Sequence, residues 1–568
     1  MGFFIIALAA RVVAAAQVDF PPTEVSAYYT GVARNLVEGR GLVTDAVVWY
    51  ATPPLVVPKP AFELWLPLPT FLAAIPMALL GASFFSAQLS TVAFGALAAP
   101  LAWAIALDAA RRQRLPVDRA VTVAAGSALV VAVLGPLLVA DVAPESTTAF
   151  TVLGVLACWL MPRALGPNSP GVCEARHVRL LARAALGIVL GLAYLARQEA
   201  LFLAAAYVLL LFVSIGRRPR AAGLAGTGSA SRTRAAVAAL LPTLLLAAVA
   251  IAPWLIRNTL VFGTALPGHA IDHAWLTRNE EIFAYAHPPS LQRFLAQGAA
   301  TIVANQLEAL GRNLLTVLLV PAMPVAALGL LAVAALRRSP AVASRSALGV
   351  ILATGLAIYL FTSICFPIAS AWGIYRHSAG PFVVGLAVVS MLGLDALVAA
   401  VRRLRAWPRS NAWLAPAGAL ALVLPFAVLQ VAIVSGQARE LKARFEDVRL
   451  ALESHLPELR ATRGAAFTSG TTSAAAWDVR EPIVSDHPIW LAETLRAPVL
   501  ALPDEPAADV WKLARAFGAR LLVVLDRRGP YLDALLHGRS RACFHGTSAS
   551  SSGVRIIEVR PQCAGAGP

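Results

Sequence analysis

Eleven apolar runs, most of them near the roughly 20 residues a helix needs to cross a bilayer, recur between residues 2 and 434. They fall at about 2–18, 85–109, 120–140, 146–162, 184–196, 200–215, 235–254, 313–336, 346–367, 380–401 and 412–434. Of the 568 residues, 58% are hydrophobic and 14% charged, where a soluble domain carries about 25% charged residues. Mean hydropathy is +0.70. Length alone would suggest three or four soluble domains, but this composition predicts an α-helical polytopic membrane protein of about 11 transmembrane helices. The run at 184–196 is the shortest. The apolar stretch 67–82 contains Pro67, Pro69 and Pro76 and is expected as an interfacial or re-entrant helix rather than a span. Ala14, Ala15 and Ala16 look like a signal-peptide cleavage site, yet no basic segment precedes them. Residues 2–18 are therefore read as a first helix, despite Arg11.

The net charge of +16 is almost all arginine and sits in short loops, without the aromatic-interleaved basic stripe of a nucleic-acid binder. Arginines crowd the loops 111–119, 163–183 and 216–234, then 337–345 and 402–409. These are every second loop. The alternate short loops hold none at 141–145, Arg197 at 197–199 and Arg376 at 369–379. By the positive-inside rule the basic loops and the N-terminus are expected in the cytoplasm, with the C-terminus outside. Three long segments then share the outer side: 19–84, 255–312 and 436–568. The division is a membrane body over 1–435 and an extracytoplasmic tail over 436–568. In the tail, 498–503 and 520–526 read as buried strands around a helix at 507–518, a small α/β domain. None of the five cysteines forms a CxxC, so zinc is not expected. Cys158 and Cys365 fall in apolar segments. Cys543 and Cys563 could pair if the tail is outside.

Chemistry-bearing residues gather on that same side. Val25 to Val37 has helical, interfacial character and follows Asp19-Phe-Pro-Pro-Thr-Glu24. A carboxylate there could serve as general base for a hydroxyl, or simply suit a helix N-terminus. Asp141 and Glu145 bound the very short loop 141–145 with no basic partner nearby in sequence, a costly arrangement at a membrane boundary. Arg197 and Glu199 lie between two apolar runs, facing a cavity or pairing internally. Arg257 and Arg376 end spans on the outer side, where a guanidinium can hold a phosphate or snorkel to lipid. His269, His273 and His287 lie in the second long loop and are read as solvated rather than metal-binding.

Together these stretches resemble the GT-C superfamily of polyprenyl-phosphate-sugar-dependent glycosyltransferases, which includes protein O-mannosyltransferases and bacterial aminoarabinose transferases. The resemblance covers about 1–400. It rests on an acid before Tyr28-Tyr29, Ala33-Arg-Asn-Leu-x-x-Gly-x-Gly41, Glu63-Leu-Trp65-Leu-Pro67, Ala143-Pro-Glu145-Ser, Tyr194-Leu-Ala-Arg197-Gln-Glu199 and Pro253-Trp-Leu-Ile-Arg257-Asn258. It implies an inverting glycosyltransferase that moves a sugar from a polyprenyl phosphate to an unknown hydroxyl acceptor on a lipid, glycan or protein. The carried-over roles are catalysis by Glu24 (Asp19 in reserve) and by Glu145 or Asp141. Donor phosphate would be held by Arg376, Arg257 or Arg197. Tyr28, Tyr29, Glu63, Trp65, Glu199 and His377 would line the cavity. The implied partners are membrane lipids and the lipid-linked sugar, with no nucleic acid. No cofactor is required; some members use a divalent cation, and nothing in the sequence indicates one here. The family's first acid is usually an Asp close before the tyrosine pair; this chain has Val25 and Ser26 in the nearest positions, with Glu24 four residues before Tyr28. The rival reading, a lipid-linked-glycan transporter or polymerase, would place charges deep within several spans.

Overall fold

The computed structural model describes residues 1–165, 174–216, 229–268, 270–342, 346–406, 411–455, 481–526, 530–536, 542–549 and 554–560. Among them seven helices are long and apolar enough to cross a membrane. Counted as one broken span, Val117–Val133 with Gly135–Asp141, bent by 49°, makes an eighth. The bend falls where Leu134 turns extended and Pro136 enters the next helix without an N–H to donate. Three expected spans, 2–18, 200–215 and 313–336, are shorter apolar helices: α1 (Gly2–Ala15), Ala200–Gly216 and Val325–Leu336. The last is cut short because Asn313–Leu319 forms a π-helical stretch and Pro321 and Pro324 follow it. Leu201, Leu209, Leu241, Leu245 and Val249 are exposed on the bundle's flank, where lipid rather than water is the compatible solvent. The chain is a polytopic membrane protein.

Several boundaries differ from the hydropathy reading. The span expected at 184–196 starts at Glu174, so much of the expected basic loop is helical. The span expected at 235–254 runs from Ser229 to Phe262, which puts Arg257 on a helix. The last helix, expected to stop at 434, is the 42-residue exit helix Leu414–His455. Its second half exchanges an all-round apolar surface for one buried face of Phe445, Val448 and Leu452, a pattern that an averaged hydropathy window misses. Residue 435 therefore lies inside a continuous helix. The Pro-containing stretch forms α3 (Leu68–Leu80). At about 1.5 Å per residue it is about 20 Å long, short of the roughly 30 Å hydrocarbon core.

A mixed sheet caps one end of the bundle. Its strands are β1 (Ala46–Val47), β2 (Ile483–Ser485), β3 (Val499–Ala501), β4 (Leu521–Val524), β5 (Phe544–Ala549) and β6 (Arg555–Val559). Their spatial order is β1-β3-β2-β4-β6-β5. The β1–β3, β3–β2 and β2–β4 pairs are parallel and the two pairs to β6 antiparallel. The strands and helix expected around 498–526 are present, the helix as Ala507–Phe517. Strand β2 inserts between the two expected strands, and β1 comes from the first long loop, so that loop and tail share one sheet. Cys543 is disulfide-bonded; Cys563 lies outside the described residues. Between cap and bundle lies α2 (Glu24–Val37), packed on α3 below and on helix Pro488–Leu495 above.

Candidate active site

Helix α2 organises the site. Thr23 caps it, its hydroxyl accepting the Ser26 N–H while the Ser26 hydroxyl accepts the Thr23 N–H, a reciprocal capping box. Glu24 occupies the first turn, where the helix dipole favours a carboxylate. The same Thr23 hydroxyl donates to Glu145. Glu145 is buried and receives the Nδ1 of His377 at 3.0 Å. Nδ1 also lies 2.9 Å from the Thr147 hydroxyl, and Arg376 reaches Nε2 at 3.1 Å. A guanidinium only donates, so Nε2 accepts and the imidazole proton resides on Nδ1, directed at Glu145. Burial and then the neighbouring Arg376 charge push His377 down to about 4. Burial would raise the Glu145 carboxyl, but His377, Arg376 and the Thr23 hydroxyl hold it at about 2. The result is an ionised Glu145 between a threonine and a neutral histidine, with an exposed arginine one residue away.

Two further clusters flank this one. Arg197 makes a fork with Glu199 (2.6 and 3.1 Å) and reaches the Ser146 hydroxyl at 3.1 Å and the Ile374 carbonyl at 3.4 Å. The Tyr29 phenol is buried beside Arg197, Ser146 and Glu145. On the other side, Lys59 is fully buried, bonded to Glu63 at 2.6 Å and to the Trp49 carbonyl at 2.7 Å. Burial raises Glu63 to about 7 against the pull of Lys59. The Tyr28 hydroxyl accepts the Phe62 N–H at 2.8 Å, and its ring meets Trp65 edge-on at 4.4 Å. Arg257 donates to the Ala61 carbonyl at 2.9 Å and to Asn258 Oδ1 at 3.2 Å, and stacks over Trp254 at 4.9 Å. Gly268, at φ 86°, lies so close that a Cβ would stand 2.0 Å from the Glu63 carbonyl oxygen, which ties the second long loop to this wall.

The sequence-predicted residues thus separate. Glu145, Arg376, His377 and Tyr29 come together, with Arg197 and Glu199 beside them. Tyr28, Glu63, Trp65 and Arg257 form the neighbouring wall. Asp141 is elsewhere: it is buried in the bundle, 2.6 Å from Arg11 and 2.7 Å from the Thr148 hydroxyl. It does have a basic partner, supplied by α1. Asp19 is exposed and pairs with Lys442 at 2.5 Å. Glu24 meets His487 of the tail at 3.1 Å. Three residues were not anticipated as parts of a site. Thr23 carried only a capping signal. Lys59 is one of three lysines in the sequence, four residues before Glu63, a spacing that could have flagged it. His487 carries no signal linking it to Glu24, 463 positions away. Among the described residues no group of three or more His, Cys, Asp or Glu side chains is placed to hold a metal. His287 faces Asp509 at 3.4 Å, His273 is half-buried, and His269 lies outside the described residues.

No family model matches this chain, and no curated protein matches its sequence. Solved structures do match. ArnT from Cupriavidus metallidurans bound to undecaprenyl phosphate superposes with a TM-score of 0.53 at 16% identity, over 99% of this chain and 98% of that one. Its apo state gives 0.52, also at 16% identity and with the same coverage. The apo oligosaccharyltransferase of Archaeoglobus fulgidus gives 0.51 at 13% identity, over 92% of this chain and 69% of that one. These neighbours are GT-C membrane glycosyltransferases, and the chain shares their fold, end to end in the case of ArnT.

Proposed function

We propose that this protein is an inverting glycosyltransferase, moving a sugar from a polyprenyl phosphate to a hydroxyl acceptor at the outer face of a bacterial plasma membrane. The observation that carries the reading is the meeting at the start of α2. The Glu24 carboxylate and the buried Glu145–His377 pair, with the exposed Arg376 on its far side, are joined there through Thr23, on a GT-C fold. A lipid-linked donor needs its headgroup where the membrane ends, and this cluster sits between bundle and cap. The basic loops at the opposite ends of the spans support an outside location for the cap.

In this reading Glu24 takes the acceptor hydroxyl proton as its oxygen bonds to the anomeric carbon from the face opposite the phosphate. The bond from that carbon to the phosphate oxygen breaks, leaving a polyprenyl phosphate. Arg376, exposed and engaged only lightly through His377, stabilises the phosphate charge as it develops. Arg257 is the second candidate, although its N–H groups already serve loop carbonyls. Arg197 is committed to Glu199 and acts through Ser146 and Ile374 on the walls. Glu145 keeps Thr23 and His377 in place. Asp19, paired with Lys442 at the surface, is the weaker base candidate.

Purified protein in liposomes, given a polyprenyl-phosphate sugar and a mixture of lipid, glycan and peptide acceptors, tests this. Sugar transfer should occur and should vanish in Glu24→Gln with the fold intact. Full activity in that variant overturns the assignment of Glu24. Failure of the unaltered protein to bind the donor overturns the reaction.

A further inference from the structure

Helix α2 meets the cap at three points along its length. At its start Glu24 meets His487 at 3.1 Å. At its middle Arg34 forms a two-bond fork with Glu493. Just past its end Glu38 faces Arg496 at 3.6 Å. The last two pairs join helix to helix and need no chemical explanation. The first is different, because its cap residue is a histidine set between acids. Its Nδ1 faces Glu24 and its Nε2 faces Asp526 at 2.5 Å. Asp526 is in turn held by Arg444 of the exit helix. Asp486, next to His487, accepts the backbone N–H groups of Leu525 and Asp526 and so fixes the turn that presents Asp526. The imidazole lies against the rings of Phe445 and Trp490, which limit its rotation. Carboxylates on both ring nitrogens require both to donate, so the ring is an imidazolium in this arrangement.

We propose that His487 is a positioning residue contributed by the C-terminal cap, which orients the Glu24 carboxylate for the acceptor. The chain Arg444–Asp526–His487–Glu24 runs from the exit helix through the cap to the first residue of α2. Each link is a charge-assisted contact, the class that combines strength with directionality. Without His487, Glu24 has, among the described residues, its place in the first turn to fix its rotamer. The cap is then a working part of the site.

This proposal rests on Glu24 being the base and adds the donor of its orientation. Burial of His487 works against its charge, but the Glu24, Asp486 and Asp526 carboxylates outweigh that and raise it to about 9. The raised value means that the contact is complete below the ordinary imidazole range and is lost as pH rises through about 9.

The test uses the full chain in liposomes with a polyprenyl-phosphate sugar and the acceptor found active. His487→Gln should lower kcat by about 10- to 100-fold, the scale on which misplacing a reacting group acts, with donor KM little changed. His487→Lys, a permanent cation at this pH range, should restore part of that rate and remove the decline of kcat near pH 9 seen in the unaltered protein. Unchanged kcat and an unchanged alkaline decline in His487→Gln, in a protein where Glu24→Gln is inactive, overturn the proposal and leave Glu24 as base. Full activity in Glu24→Gln overturns the underlying reading instead. Should His487→Gln fail to fold, Asp526→Asn, which weakens the same ring from its other side, should shift the alkaline decline to lower pH. No shift in Asp526→Asn also overturns the proposal.

Discussion

The Thr23 hydroxyl donates to Glu145 across 122 positions of sequence, and the same oxygen caps α2. One side chain therefore sets both the start of the helix that carries Glu24 and the orientation of the buried acid beneath it. Glu145→Gln keeps the shape but replaces an ionised acceptor with an amide that must also place two N–H groups in a buried site. Sugar transfer should fall by about 100-fold or more, with expression and detergent-extracted monodispersity unchanged. Thr23→Val, which loses cap and donor together, should lower activity and also destabilise by about 1 kcal/mol. Activity in Glu145→Gln within twofold of the unaltered protein would contradict this.

Acid should destabilise the protein over two overlapping pH windows. Folded His377 titrates near 4, below the ordinary value of about 6.5, so between those pH values the unfolded chain binds a proton that the folded one refuses. Stability falls as pH drops through that window. Glu145, held at about 2, contributes stability that is present above about pH 4.5 and lost as pH falls toward 2. His377→Gln should flatten the dependence of Tm on pH between about 6.5 and 4 and, by removing a partner that holds Glu145 down, should also shrink the dependence below about 4.5. A parallel curve in that variant would sink the assignment.

Arg11 and Asp141 are a buried ion pair, with Arg11 also donating to the Ala132 carbonyl at 2.9 Å. Removing one partner leaves a naked charge. Arg11→Met or Asp141→Leu should each cost about 3–5 kcal/mol, and the double change much less than the sum. Gly95→Ala should be costly at the same place, because a Cβ there would lie 2.3 Å from the Asp141 carboxyl carbon. Thermal unfolding in detergent reads all four.

Glu505 accepts the backbone N–H groups of Tyr285 (3.1 Å), Ala286 (3.0 Å) and His287 (2.7 Å), so one buried carboxylate pins the second long loop to the cap. Glu505→Leu should increase amide exchange at 285–287 by about 10-fold or more, each lost bond to a charged acceptor being worth about 1.5–3 kcal/mol. Exchange elsewhere in the cap should hold. Unaltered protection at those three amides would refute the pinning.

Arg376→Ala should raise donor KM by at least about 10-fold while leaving Tm within about 2 °C, since the side chain is exposed and, among the described residues, its hydrogen bond is to His377 Nε2. Arg376→Lys should recover little, because a point charge does not reproduce a guanidinium fork. A KM within twofold of the original in Arg376→Ala would transfer the phosphate role to Arg257.

Residues 2–434 announced their helices because lipid demands sustained apolarity, a demand local in sequence. The interfacial helix at 25–37 and the β-α-β signals at 498–526 were legible for similar reasons. What escaped was non-local. Two-residue β1 has no pattern of its own and becomes a strand only by pairing with Val499 and Leu500. Asp141 and Glu145, four positions apart in sequence and alike in chemistry, part because α1 brings Arg11 to one and the cap of α2 brings Thr23 to the other. The extra length of the exit helix is hidden where its surface turns from apolar to amphipathic.

That helix has a mechanical corollary. At about 1.5 Å per residue its 42 residues make a rod of about 63 Å, rooted among the spans and ending under the cap, with Lys442 and Arg444 projecting from it onto Asp19 and Asp526. One inserted residue would turn everything beyond it by about 100° and swing both cations off their partners. The height and heading of the cap are thus geared to residue count, and viable length changes in this shaft should come only in whole turns.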